Sequence, residues 1–176
     1  MFADNSLLPK EAIRLTALGV VCEQPQAYAA VAQAVRHFAS RIVGPSLELM
    51  GSSIELLRTE GLVEAKGTGA EAPLSITEAG RRELHTLLLT SIRTPNSDVG
   101  RLAFALKMRF LHLLQPADRR DQADMMIEAC QAEIVRLADL EASCRDGSGF
   151  FCDWLAHDIG LARTRRAWLE AFRTGL

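Results

Sequence analysis

Excess charge is the first thing this chain lacks: 20 Lys and Arg stand against 22 Asp and Glu, for a net charge of -2. The balance holds along its length, with 9 basic against 10 acidic residues before residue 96 and 11 against 12 after it. A basic coat for nucleic acid is thereby excluded, and any contact with phosphates must come from local patches. Long apolar runs are missing as well. None approaches the roughly 20 residues that span a bilayer, and the opening Met-Phe-Ala-Asp-Asn has neither the basic start nor the apolar centre of a secretory signal. A cytoplasmic protein without a membrane partner is expected.

Chemical motifs are equally scarce. The chain has no Gly-x-Ser-x-Gly elbow, no phosphate-binding glycine loop and no His-Glu-x-x-His helix, so an enzyme is not expected. Cys22, Cys130, Cys144 and Cys152 lack the spacing of a zinc ribbon or a redox motif, and His37, His85, His112 and His157 are scattered. Neither a metal nor a cofactor is expected. Each cysteine reads as a small buried apolar side chain, although the Gly147-Ser148-Gly149 loop could bring Cys144 and Cys152 together.

What is present is a pattern of helices interrupted once by short strands. Ile13, Ala17, Leu18 and Val21 form one face of a helix from about Lys10 to Cys22, which Pro25 ends. A second helix from about Gln26 to Ile42 turns Tyr28, Val31, Val35, Phe38 and Ile42 inward and leaves Gln33, Arg36 and His37 outside. Gly44-Pro45 breaks the chain, and Ser46 is placed to cap a third helix. Leu47, Met50, Ile54 and Leu57 are its buried side; Glu48, Gly51, Ser52, Glu55 and Thr59 are its free side.

Two short strands, Leu62 to Lys66 and Pro73 to Ile76, then enclose the tip Gly67-Thr68-Gly69-Ala70, whose glycines suit a tight reversal. Thr77 is a helix cap, and Leu84, Leu87 and Leu88 form the inner face of the helix that follows. Helices, a two-stranded wing and another helix, in that order, are the grammar of a winged helix, with the third helix free for recognition.

Turn formers at Arg93-Thr94-Pro95-Asn96-Ser97 mark a boundary. The expected division is a winged-helix DNA-binding domain over 1–95 and a helical dimerisation and effector domain over 96–176. A helix over 98–115 is apolar on two faces and needs two partners. A long helix from about Pro116 to Cys144 carries the stripe Ala123, Ile127, Cys130, Ile134, Leu137 and Leu140, similar to a coiled-coil seam. In the last helix Trp154, Leu161 and Trp168 recur at intervals of seven beside Leu155, Ala162 and Leu169.

These pieces together resemble the PadR-like transcriptional regulators over nearly the whole chain. The matching residues are Leu18-Gly19-Val20-Val21, Tyr28, the run Leu57 to Val63, and Ser75-Ile76-Thr77-Glu78-Ala79-Gly80-Arg81. In the second half they are Leu106 to Leu111 and Ala167-Trp168-Leu169-Glu170. The resemblance implies a mainly α protein, an N-terminal winged helix-turn-helix followed by an all-helical dimerisation domain. It also implies a homodimeric repressor acting on an approximately palindromic operator in double-stranded DNA, with a planar aromatic effector.

Arg36, Arg41, Arg58 and Lys66 are the candidates to neutralise phosphates, and Ser46, Ser52, Ser53 and Thr68 to donate hydrogen bonds. Trp154, Leu161 and Trp168 are the candidates to stack an effector, although such a stripe is more often core or dimer interface than a ligand site. The free face of the third helix carries Glu48 and Glu55, which phosphates repel, and has Gly51 and Ser52 where family members usually carry tyrosine. The alternative expectation is therefore a scaffold that has lost DNA recognition and serves as a protein-interaction or ligand-binding module.

Overall fold

The computed structural model describes residues 7–44, 52–69, 71–92, 94–144 and 149–176, with the side chains of 52 and 53 left aside. The chain forms two compact units, Met1–Ser91 with Asn96–Leu114, and Ile92–Pro95 with Gln115–Leu176.

In the first unit, helix α1 (Pro9–Glu23) is the hub: Ala12, Ile13, Leu15, Ala17, Leu18, Val20 and Val21 are all buried. Pro9 opens it in the position where a missing N–H costs nothing, and the Glu11 carboxylate accepts from the Leu8 N–H at 2.7 Å. Helix α2 (Tyr28–Val43) buries Val31, Val35 and Ala39 against the core. Gln26 and Ala27, assigned by periodicity to the start of that helix, instead form a short strand β1. Pro25 favours extended backbone just before it at Gln24, where φ is -160° and ψ 145°. Strand β1 then finds a partner for its backbone groups.

That partner is the wing. Strands β2 (Val63–Ala65) and β3 (Pro73–Ile76) pair antiparallel with Val63 opposite Ile76 and Ala65 opposite Leu74. β1 adds to the other side of β3, with Gln26 opposite Leu74, so the sheet has three strands in the order β1-β3-β2 and not the two expected. Between the wing and α2 stands helix α3 (Ser52–Thr59), whose Ile54 and Leu57 are buried. Ser46, Leu47, Glu48, Met50 and Gly51, which the sequence assigned to the start of this helix, lie outside the described residues.

Helix α4 (Glu78–Leu88) begins at the expected cap, Thr77, whose hydroxyl accepts from the Gly80 N–H at 3.0 Å. Helix α5 (Asp98–Phe110) is capped by Ser97 in the same way, at 3.0 Å from the Gly100 N–H. Although the sequence boundary placed α5 in the second half, it packs on α1 and α2 within the first unit. Its Phe110 ring fills the space a side chain at Gly19 would need, a Cβ there lying 2.6 Å from the ring. Leu102, Leu106 and Phe110 of one face are buried, while Phe104 and Met108 of the other are half-buried.

Lys107 joins α5 to the end of α4. Its side chain is 1% exposed, and its ammonium donates to the Leu88 carbonyl at 2.5 Å, satisfying one of the last acceptors of that helix. Burial holds its pKa down at about 7.

After a 3-10 turn at Leu111–Leu113, the second unit is a hairpin of two long helices, α6 (Pro116–Ser143) and α7 (Phe151–Thr174). The α6 stripe read as a coiled-coil seam is used within the chain in part: Ala123, Cys130 and Ile134 are buried, Ile127 and Leu137 are half-buried, and Leu140 is exposed. Met126 is buried beside them, and Ile134 packs with Ile159 and Ala162 of α7. Arg173 forks onto Asp124 at 2.8 and 3.0 Å, and this bond holds the exposed carboxyl below its ordinary range. Glu133 is the exception in the apolar stripe. It is 4% exposed, one carboxylate oxygen has no partner, and burial pushes its pKa up against the opposing effect of Arg136 and Arg165.

The expectation of four buried free thiols holds only at Cys130, since Cys22 is free but half-buried. Cys144 and Cys152 form a disulfide across the α6–α7 connection, with 6.3 Å between their Cα atoms, whereas Cys22 and Cys130 are free. Among the described residues no helix is long and apolar enough to cross a membrane, and no cluster of His, Cys, Asp or Glu could hold a metal ion.

Candidate nucleic-acid interface

The geometry that could read a groove is set by how α3 ends and the wing begins. Gly61, at φ +70°, terminates α3 in the left-handed conformation that glycine takes without a Cβ penalty. The Leu62 N–H then closes onto the Leu57 carbonyl at 2.8 Å and the Gly61 N–H onto the Arg58 carbonyl at 3.1 Å, a Schellman closure. The chain leaves the helix directly into β2.

Thr77 holds the other end of the wing to the same point. Its hydroxyl donates to the Gly61 carbonyl at 2.7 Å while its N–H donates to the Leu62 carbonyl at 3.1 Å. One residue thus caps α4 and pins β3 beside the end of α3. Gly80 completes the joint, because a Cβ at this position would run into the Leu62 carbonyl and Ile76 Cγ1. Arg14 of α1 braces the assembly from behind, bonding Glu60 at 2.5 Å after α3 and Glu83 at 2.9 Å on α4. At the tip, Gly67 (φ +124°) and Gly69 (φ +106°) turn the chain, and the Lys66 N–H bonds the Pro73 carbonyl at 2.9 Å.

Five of the candidate DNA-contacting residues are described with their side chains, and all are exposed: Arg36 and Arg41 on α2, Arg58 near the end of α3, Lys66 where β2 leaves the sheet, and Thr68 at the tip. Ser52 and Ser53 open α3, and Ser46 lies outside the described residues. Arg58 has Glu55 at 3.8 Å, a surface pair worth little and open to exchange. Glu55 itself is exposed, as its place on the free side of the helix implies.

Sequence reasoning missed several of the positioning residues. Arg14 reads as an ordinary polar position on α1, and only the fold brings Glu60 and Glu83, 46 and 69 residues away, to its guanidinium. The second bond of Thr77, back to Gly61, has no local signature. The extended β1 did have one in Pro25.

The second candidate group, Trp154, Leu161 and Trp168, shares one face of α7, and the three are 52%, 52% and 51% exposed. Leu155, Ile159, Ala162 and Leu169 are the buried face. Phe151 stacks on Trp154 with 5.8 Å between centroids, and Phe172 on Trp168 with 5.4 Å. The stripe is therefore not core of this chain.

Over residues 2–173 the sequence matches the family described as AphA-like transcriptional regulators. The chain belongs to that family. It is a family of regulators of transcription and not of enzymes, and it agrees with the PadR-like resemblance of the motifs. Comparison with curated proteins gives no match. Solved structures similar to the chain include smu.1604c from Streptococcus mutans UA159, at 15% identity and a TM-score of 0.39, covering 90% of this chain and 96% of that one. Another is Bacillus subtilis PadR in complex with operator DNA, at 16% identity and a TM-score of 0.38, covering 93% and 97%.

Proposed function

We propose that this family member is a cytoplasmic, homodimeric repressor that binds an approximately palindromic operator through α3 and the wing. The observation that carries the reading is the joint at Gly61, Leu62 and Thr77, which fixes a free helix and a projecting hairpin side by side, with Arg58 and Lys66 exposed on either side of it. Arg36 and Arg41 supply further phosphate contacts, and Ser46, Ser52, Ser53 and Thr68 supply neutral donors. In this reading the first unit, with α5 packed on α1 and α2, binds DNA, while α6 and α7 carry dimerisation and the effector response.

The exposed stripe of α7 supports a dimer, since Trp154, Leu161 and Trp168 present apolar surface that a second copy would cover. Two copies place two recognition helices one turn of DNA apart, about 34–36 Å. A planar aromatic effector stacked on either tryptophan would act by altering how the copies sit on DNA. No cofactor takes part.

Fluorescence anisotropy with a labelled fragment of the protein's own promoter tests the reading. Affinity should fall steeply with salt as phosphate-bound counterions are released, and Arg58→Ala with Lys66→Ala should weaken binding and flatten the salt slope. Full affinity in the double variant would remove this surface. Glu55 on the free face of α3 favours the second reading, a scaffold without DNA recognition, and absence of specific binding by the wild type would decide for it.

A further inference from the structure

The Cys144–Cys152 pair has no part in the DNA-binding reading, yet it stands at a place where a covalent change would be felt. Cys144 caps the C-terminus of α6, Cys152 occupies the first turn of α7, and the bridge therefore ties one helix end to the start of the next. Around Cys152 lies the most exposed apolar surface of the described chain: Phe150 at 87%, Phe151 at 50% and Trp154 beside it, with Phe151 and Trp154 stacked.

We propose that Cys144 and Cys152 are a reversible thiol–disulfide site, and that its state sets the arrangement of the Phe150–Phe151–Trp154 patch. Both states are accommodated. In the bridged structure Cys152 Sγ already lies 3.0 Å from the Cys144 carbonyl and Cys144 Sγ 3.3 Å from the Glu141 carbonyl, so an acceptor stands beside each sulfur when the bridge opens. Opening it leaves no buried thiol without a partner, and Leu155, Ile159 and Ala162 keep the hairpin packed. Neither Cys144 nor Cys152 is buried, so small thiols and disulfides have access.

The reversibility rests on the proposed function in one respect. A protein acting on DNA in the cytoplasm shares its compartment with glutathione- and thioredoxin-class thiols, where a bridge between accessible cysteines is transient and not a permanent staple.

The chemistry is thiol–disulfide exchange with a low-molecular-weight disulfide of the glutathione class. The Cys152 thiolate attacks one sulfur of that disulfide, its S–S bond breaks, and one small thiol leaves as a mixed disulfide forms on Cys152. The Cys144 thiolate then attacks Cys152 Sγ and displaces the second small thiol. The protein has lost two electrons and two protons, and one small disulfide has become two thiols. Excess small thiol drives the same steps in reverse.

The test uses the full-length protein equilibrated at a series of reduced-to-oxidised glutathione ratios, then acid-quenched, alkylated and mapped by peptide mass, with tryptophan emission recorded at each ratio. The bridged 144–152 peptide should rise with the oxidised share and fall again when reduced glutathione is restored. Emission should track it, and the emission response should vanish in Cys144→Ser, in Cys152→Ser and in Trp154→Phe. Free alkylation of both cysteines at every ratio would overturn the proposal, as would a bridge that stays closed in excess reduced glutathione, or a bridge that opens with no change in emission. Promoter binding measured on the same samples keeps the two readings apart: its absence in both states counts against the repressor, while the peptide map and emission still decide the thiol site.

Discussion

Lys107 offers a stability test with a defined sign. Its pKa is lowered by burial from 10.5 to about 7, while in the unfolded chain it returns to the ordinary lysine range. Between those values the unfolded state holds a proton that the folded state has lost, so stability rises with pH through that window and is flat below it. The slope from one such group is about 1.4 kcal/mol per pH unit, so the whole window amounts to a cost on the order of 5 kcal/mol at its acidic end. Cys130, whose thiol is pushed up by burial, gives the opposite slope at the alkaline end, so the cleaner interval is about pH 7 to 8.5, where about 2 kcal/mol should be gained. The perturbation is Lys107→Met, which fills similar volume without a titrating group but takes the donor from the Leu88 carbonyl. That loss costs about 1–3 kcal/mol, less than the burial cost it removes, so the variant should be the more stable at pH 7 and the advantage should shrink as pH rises. Urea denaturation followed by circular dichroism at each pH measures both. Equal slopes for wild type and variant would refute the assignment, as would a variant less stable at pH 7.

Other positions give shorter tests. Gly80→Ala forces a Cβ into the Leu62 carbonyl and should cost about 1–3 kcal/mol by urea denaturation, with a larger loss of promoter affinity than Gly160→Ala, where a Cβ meets open space. Glu133→Gln removes a desolvated carboxylate whose folded pKa is raised. Its melting temperature should exceed that of wild type at pH 7, with the gain shrinking as pH falls below the raised folded pKa and gone only below 4.5, where Glu133 is protonated in the unfolded state too; a gain independent of pH would show another cause. Trp168→Ala should weaken the dimer in analytical ultracentrifugation, while a panel of planar phenolic and heteroaromatic compounds should quench wild-type tryptophan fluorescence saturably if the stripe also binds an effector. A wild-type monomer at micromolar concentration would contradict the dimer.

The parts of the fold legible in the sequence are those set by local chemistry. The cap at Thr77, the glycines of the wing tip and the buried faces of the helices follow from residue types at fixed spacing, whereas the cap at Ser97 is legible only as part of a cluster of turn formers. Contacts between distant segments were not legible. Nothing near Gln26 announces that its strand will lie against Leu74, and a two-face apolar helix such as α5 does not say which partners it will take. The seam of α6 illustrates the same limit, because Ala123, Cys130 and Ile134 satisfy a neighbour in the same chain as readily as one in another. For the candidate interface, exposure of Arg58 and Lys66 followed from the pattern, whereas the Arg14 brace and the second bond of Thr77 depend on tertiary approach. Cys144 and Cys152 were close enough in sequence to pair, but eight residues of separation fit a free thiol as well as a bridge until the two helices are seen to turn back on each other.

Genome-wide footprinting in the native host, comparing wild type with the Arg58→Ala, Lys66→Ala double variant, tests the central claim most directly. The account predicts protected, approximately palindromic sites with half-sites one helical turn apart, about 34–36 Å between centres, including one in the protein's own promoter, and their loss in the variant. Absence of any specific site for the wild type, or the same sites at the same occupancy for the variant, would contradict it.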